Sequence, residues 1–206
     1  MGEPKPQIPF LFVGNQLCLD FINTQFVVNG RPLDLLATFS DLVTWLVQVH
    51  LLTEDEAKKI ERQWGSQAKG TQVHEQARAF CFTLREMVER IAAGRPVPQA
   101  AIEAINNMLR YRIGYPRLTR RSGKFERGYQ AESQNANQLL GLLAEAATNL
   151  LCTCDFSLIK KCQNSACVLF FYDTTKNHAR HWCSMTICGN RSKVAAHYRR
   201  NRSQST

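Results

Sequence analysis

Apolar residues recur along most of the chain at the three- and four-residue spacing of a helix with one buried face. Leu17, Phe21 and Ile22 open the pattern and predict a helix near 16–27. Leu42, Trp45, Leu46 and Val49 predict a second near 40–51, with Ser40 or Asp41 near its start. Thr53 and Glu56 have capping-box spacing, so a third helix starts at 54 and fades near Gly65. Val73, Ala77, Phe80, Leu84, Met87, Val88 and Ile91 trace a long amphipathic helix over 71–93, which Gly94, Pro96 and Pro98 end. Ile102, Ile105 and Leu109 fit a helix over 98–110, and Leu139, Leu142, Leu143, Ala146 and Leu150 one over 133–152. Residues 111–130 break the period. Tyr111, Ile113, Tyr115, Phe125 and Tyr129 surround Gly114, Pro116 and Ser122-Gly123, which reads as a β-hairpin.

The predicted fold class is mainly α with a small β-hairpin: a helical N-terminal domain plus a small α+β domain after it. The expected organisation is a loose proline-rich arm over 1–9, a helical domain over 10–153 and a small domain over 158–202. That last segment is barely above the roughly 40 residues below which a chain needs a metal or disulfides to fold.

Its cysteines read Cys162-x4-Cys167-x15-Cys183-x4-Cys188. Two close pairs joined by a short loop are what a tetrahedral site requires, and four thiolates suit one structural Zn2+ with no open position for water. His178 and His181 lie in the same span as further donors, although four thiolates already complete the tetrahedron. Cys18 and Cys81 fall on helical stripes and read as small core residues, and Cys152 and Cys154 lie near the boundary without a matching pair. Val168 to Tyr172 is a strand candidate preceded by 156–159, which places the first cysteine pair at a hairpin turn. A helix is expected from Gly189 through about Arg202, with Val194 and Tyr198 facing the metal core and Lys193, His197 and Arg200 on the opposite face. Trp182 and Met185 read as packing residues.

Charge changes this picture. The chain has 206 residues and a formal charge of +9, but residues 174–206 hold seven basic side chains and no acid, and residues 110–127 hold seven against Glu126 alone. The remainder is mildly acidic. Concentrated positive charge suits a polyanion, because each neutralised phosphate releases counterions. The expected partner is double-stranded DNA, contacted by Arg180, Arg191, Lys193, His197, Arg199, Arg200 and Arg202. Asp20, Asn23 and Thr24 are polar residues in an apolar stretch, and with the arginines of 110–127 they are candidates to line a pocket for an anionic small-molecule effector. An RNA- or protein-binding adaptor is the alternative class. A homodimer would suit a symmetric operator.

The chain carries no H-E-x-x-H, P-loop, G-x-G-x-x-G or nucleophile elbow, and no H-x-E beside a cysteine pair, so an enzyme is not expected. No apolar run approaches the roughly 20 residues of a membrane span. The opening residues carry neither a signal core nor a myristoylation site, and a cytoplasmic, membrane-free protein is expected.

The stretches Cys162-Gln-Asn-Ser-Ala-Cys167, Phe170-Phe-Tyr-Asp173, His181-Trp-Cys-Ser-Met185 and Cys188-Gly-Asn-Arg-Ser-Lys193 resemble the CGNR-type zinc finger. Leu17-Cys-Leu-Asp-Phe-Ile-Asn-Thr24 resembles the opening of the helical ABATE domain that precedes this finger. The resemblance implies a bacterial stress-induced transcription regulator, with the finger on DNA and the N-terminal domain sensing a ligand. It also implies Cys162, Cys167, Cys183 and Cys188 as metal ligands and Arg191 and Lys193 as the family's basic residues after the last pair.

Overall fold

The structure is a computed structural model and describes residues 9–28, 30–121, 123–131 and 135–194. Helix α1 spans Leu17–Ile22 and is the most enclosed element, burying Cys18, Leu19, Phe21 and Ile22. It is shorter than the helix predicted over 16–27. The Thr24 hydroxyl donates to the Phe21 carbonyl at 2.7 Å, which closes the last turn, and the chain leaves as strand β1, Gln25–Val28, paired antiparallel with β2, Arg31–Asp34. Side-chain hydrogen bonds of this kind compete with helix continuation, and the helical spacing of the apolar residues does not register them.

Helix α2 (Phe39–Gln48) starts one residue before the expected Ser40. Its cap is Thr38, with Asp41 at the third helical position returning the bond. Helix α3 (Glu54–Trp64) carries the predicted Thr53–Glu56 capping box. Helix α4 (Ala68–Ala92) is the long central helix. It ends with Gly94 N–H on the Ile91 carbonyl and Arg95 N–H on the Arg90 carbonyl, both at 2.9 Å, the bond pattern of a Schellman stop. His74 on α4 is buried, with its Nε2 2.7 Å from the Leu36 carbonyl. Helix α5 (Gln99–Leu109) leads to the predicted hairpin, β3 (Gly114–Arg121) with β4 (Lys124–Ala131). Gly123 sits in its turn at φ 81°, a backbone angle that disfavours any side chain. Helix α6 (Gln138–Thr153) returns across α5 and α1.

A short 3-10 turn, Phe156–Leu158, feeds β5 (Ile159–Lys161), which pairs antiparallel with β6 (Phe170–Tyr172). The final helix α7 occupies 185–194, its first turn Met185–Gly189 being a π turn. It therefore begins four residues before the predicted start, and Cys188 lies inside it. Tyr198, His197, Arg199, Arg200 and Arg202 lie outside the described residues, as do residues 1–8 of the predicted arm.

The apolar interior has two parts. The larger joins α1, α2, α4, α5 and α6 around Phe21, Trp45, Leu84, Met87 and Leu140, with the Phe21 and Trp45 rings 5.4 Å apart. The smaller contains Cys162, Leu169, Phe171, Cys183 and Cys188. Side chains alternate along β6, so adjacent Phe170 and Phe171 enter different cores: Phe170 the helical one, Phe171 the cysteine-lined one. No helix among the described residues is long and apolar enough to cross a membrane.

Candidate zinc centre and its junction with the helical domain

The β5–β6 hairpin positions the first cysteine pair where the sequence placed it. Cys162 follows β5 directly, its N–H donating to the Leu169 carbonyl at 2.9 Å. Asn164 shapes the turn: its side-chain oxygen accepts from Ala166 N–H at 3.0 Å and its carbonyl from Cys167 N–H at 2.8 Å. The second pair arrives on the returning chain. Gln163 N–H donates to the His181 carbonyl at 3.0 Å, and Cys183 N–H points at the Cys162 sulfur at 3.4 Å. Ser184 caps α7, its carbonyl accepting from Cys188 N–H at 2.9 Å, which holds the fourth sulfur inward.

All four Sγ atoms lie within 4.8 Å of one another. Cys167–Cys183 is 3.8 Å and Cys183–Cys188 3.6 Å. Zinc–sulfur bonds of about 2.3 Å in a tetrahedron place sulfurs about 3.8 Å apart, so the cage fits one structural Zn2+. Its protonation points the same way. The hydrogen bond between the Cys167 and Cys183 sulfurs lowers the Cys167 thiol to about 5, while that same bond and burial drive Cys183 up. Burial, then the charge on Cys167, pushes Cys188 up to about 12. Closely packed thiolates repel one another, and a dication is what lets them all ionise. His178 and His181 stand outside the cluster: His178 Nδ1 lies 3.3 Å from the Asp173 carbonyl, and His181 contributes its carbonyl to Gln163.

Between the two pairs, a polar network replaces the apolar packing that the segment lacks. Asp173 is 0% exposed. Burial works against its charge, yet Lys160 Nζ at 2.7 Å, the Thr175 hydroxyl at 2.6 Å and the N–H groups of Thr175 and Arg180 hold its carboxyl well below the usual carboxylate range. Arg180 turns inward. Its guanidinium lies 4.2 Å from the Phe171 ring centroid and donates to the carbonyls of Trp182, Val13 and Cys183. Arg180, expected as a DNA contact, is half-buried, and its Nε and Nη2 hold the finger loop to the N-terminal segment.

The helical domain completes the finger. Leu11, Val13 and Phe26 cover the cysteine-lined core, and Trp182 packs against it, whereas Met185 is exposed. The outer edge of β6 would expose unpaired backbone groups, and residues near α1 close it. Asn23, 0% exposed, donates its amide to the Phe170 carbonyl at 2.8 Å and accepts from Phe170 N–H at 3.0 Å, as a third strand would. The Gly14 carbonyl takes Tyr172 N–H at 2.8 Å, and Asn15 Nδ2 reaches the Tyr172 carbonyl at 3.0 Å. Gly14 is needed for space, since a Cβ there would stand 2.7 Å from Leu19 Cβ and 2.9 Å from Asp20 N. Arg85 on α4 ties three pieces together. It donates to the carbonyls of Ile22 and Gln25 and, at 3.1 Å, to that of Val168. A cation there also suits the carbonyl end of α1, although burial lowers its pKa.

The structure gives Asp20, Asn23 and Thr24, expected to line a pocket, partners within the protein. Asn23 is occupied by β6 and Thr24 by α1. Asp20 accepts from Gly14 N–H at 2.7 Å; burial raises its pKa to about 6, against the lowering effect of the Gly14 and Val13 N–H groups and Arg180. Arg112 of the basic segment pairs with Glu145 at 3.0 Å instead of meeting them. Arg191 and Lys193 are exposed, as expected of surface contacts. Val194 is 55% exposed and does not face the metal core as predicted, because the early π start rotates the helix relative to a start at Gly189. Reasoning from the sequence missed Arg85, Asp173 and Lys160. The signal available was an aspartate directly after the aromatic strand and an arginine four residues beyond buried Cys81.

A helical domain whose chain ends in a four-cysteine module is the architecture of a zinc-finger protein with a separate N-terminal domain. Residues 15–153 match the ABATE family, described as "Putative stress-induced transcription regulator", and residues 159–201 match the CGNR zinc finger. The chain belongs to the ABATE family and carries a CGNR finger at its C-terminal end. No curated protein matches it.

Proposed function

We propose that this protein is a DNA-binding transcription regulator whose zinc-knit finger presents a basic helix to the duplex. The observation that carries the reading is the placement of Arg191 and Lys193. Both are exposed, and both follow the ligand Cys188 within α7, in a stretch (174–206) with seven basic side chains and no acid. Zinc acts as the scaffold: it holds the start of α7 against β5 and β6, so the cations project from a fixed base. A four-thiolate ion offers no vacant position for substrate, which favours binding over catalysis. Regulation under stress is what the family description suggests, with duplex DNA as the partner.

Salt dependence of duplex binding tests the proposal. Four neutralised phosphates give a log–log slope of about −3.6. Arg191→Ala/Lys193→Ala reduces its magnitude by about 1.8 and weakens binding to all sequences, with zinc content unchanged. A flat salt response, or full binding by the double variant, removes α7 as the reading element.

A further inference from the structure

One element stands apart from both cores. β3 and β4 pair in register from Gly114↔Ala131 to Arg121↔Lys124. Among the described residues, their extensive contacts are with each other, and none of their residues joins either apolar cluster. Residues 115–120 and 123–128 are all exposed. A two-stranded ribbon in water is marginal by itself, yet this one exposes Leu118 (68%) and Phe125 (69%). Over 114–131 the sequence supplies five cations and the single acid Glu126. Charge of either sign would protect the open edges from pairing, so edge protection explains neither the one-sided charge nor the exposed aromatic.

The register shows how these groups are combined. Cross-strand pairs share a face, so Arg120 stands beside Phe125 and Leu118 beside Arg127. The Arg120 guanidinium carbon is 5.6 Å from the Phe125 ring centroid. Apolar and cationic groups therefore interleave on one side of the ribbon. Cations for phosphates and apolar groups for thymine methyls or sugar edges are the mixture a duplex groove accepts. The dimensions agree: the major groove, about 12 Å wide, admits a two-stranded ribbon, and eight residues per strand reach about 26 Å.

We infer that the β3–β4 ribbon is a second duplex-DNA-binding element, entering the major groove with Arg120 and Arg127 toward phosphates and Leu118 and Phe125 toward the groove floor. The inference rests on the protein binding DNA, but not on α7 being the reader.

The test uses zinc-loaded full-length protein and a random-sequence duplex. Arg120→Ala/Arg127→Ala reduces the salt slope by about 1.8 and weakens binding near 0.1 M salt by about tenfold or more. Its melting temperature and zinc content stay those of the wild type, since the ribbon is in neither core. Glu126→Gln removes the one acid and tightens binding about two- to fivefold, a gain that misfolding does not mimic. A photoreactive phenylalanine analogue at position 125 crosslinks to DNA. If Arg120→Ala/Arg127→Ala keeps wild-type affinity and slope while Arg191→Ala/Lys193→Ala loses them, the ribbon inference is overturned and the finger reading stands. Loss through the ribbon variant alone sustains the ribbon and removes α7. A crosslink from position 125 to a second protein chain instead of DNA makes the ribbon a dimerisation arm and overturns the inference.

Discussion

The two cores of this protein are built on different principles. The helical core interlocks large side chains, among them Trp45, Phe21, Leu42 and Met87, contributed by several helices, and needs nothing beyond their burial. Among the described residues, the finger core buries Leu169 and Phe171 besides three cysteines. Such a segment lacks the apolar area to offset its own ordering entropy. Its order comes from the four sulfurs, the Asp173–Lys160–Arg180 network and the cover of Leu11, Val13 and Phe26. The comparison teaches that the finger is completed by the helical domain: Asn23, Gly14 and Arg85 satisfy backbone groups that its short sheet leaves open.

Removing the metal breaks the comparison most strongly. Structural zinc contributes on the order of 10–16 kcal/mol of apparent binding free energy. A strong chelator, or Cys188→Ser, therefore abolishes hydrogen-exchange protection over 159–194 and leaves α4 and α6 protected. Simultaneous loss of protection in those helices would mean that the larger core is not self-sufficient. Asn23→Ala comes next. It leaves the Phe170 N–H and carbonyl unpaired in the interior and costs about 2–4 kcal/mol in urea unfolding. The same variant weakens zinc retention under chelator challenge, because it opens the sheet edge that carries the ligands; unchanged zinc retention would separate the two modules energetically.

The junction is also sensitive to pH through Asp20. Its folded pKa, about 6, stands above the ordinary 3.8, so the native state binds the proton more tightly. The associated stability is full below about pH 4 and is lost as pH rises through 6. Across that window the wild type loses about 1–3 kcal/mol relative to Asp20→Asn. Parallel pH profiles of the two proteins would show that the carboxyl is not desolvated as the junction geometry requires. The smallest effect belongs to the helical core alone: Thr53→Ala removes the α3 capping box and costs about 1 kcal/mol, with zinc affinity unaltered.

Much of this was legible in the chain. The helices α2, α4, α5 and α6 announce themselves through apolar periodicity, α3 through its capping box, the β3–β4 hairpin through its turn residues, and the zinc set through two matched cysteine spacings. The opening helix looks longer than it is, and the Thr24 hydroxyl on the Phe21 carbonyl, three residues back, ends it. Other placements depend on partners distant in sequence: Arg180 is held by Val13, and Asn23 by Phe170 at a separation of 147 residues. Local spacing carries no information about such pairings. The π start of α7 belongs to the same class, since the demand that Cys188 reach the other three sulfurs sets it.

What the sequence alone determined is everything governed by neighbours within a turn or a hairpin: helix positions, caps, the ligand spacing and the location of the positive charge. Only the tertiary structure decided which polar groups are available to a partner. A buried donor or acceptor must find a partner inside the protein, and which one it finds depends on segments brought together only after the chain has folded. Asn23, Arg85, Asp173 and Arg180 were thereby assigned to holding the finger on its domain, while Arg191 and Lys193, with Arg120, Lys124 and Arg127 of the ribbon, remained at the surface.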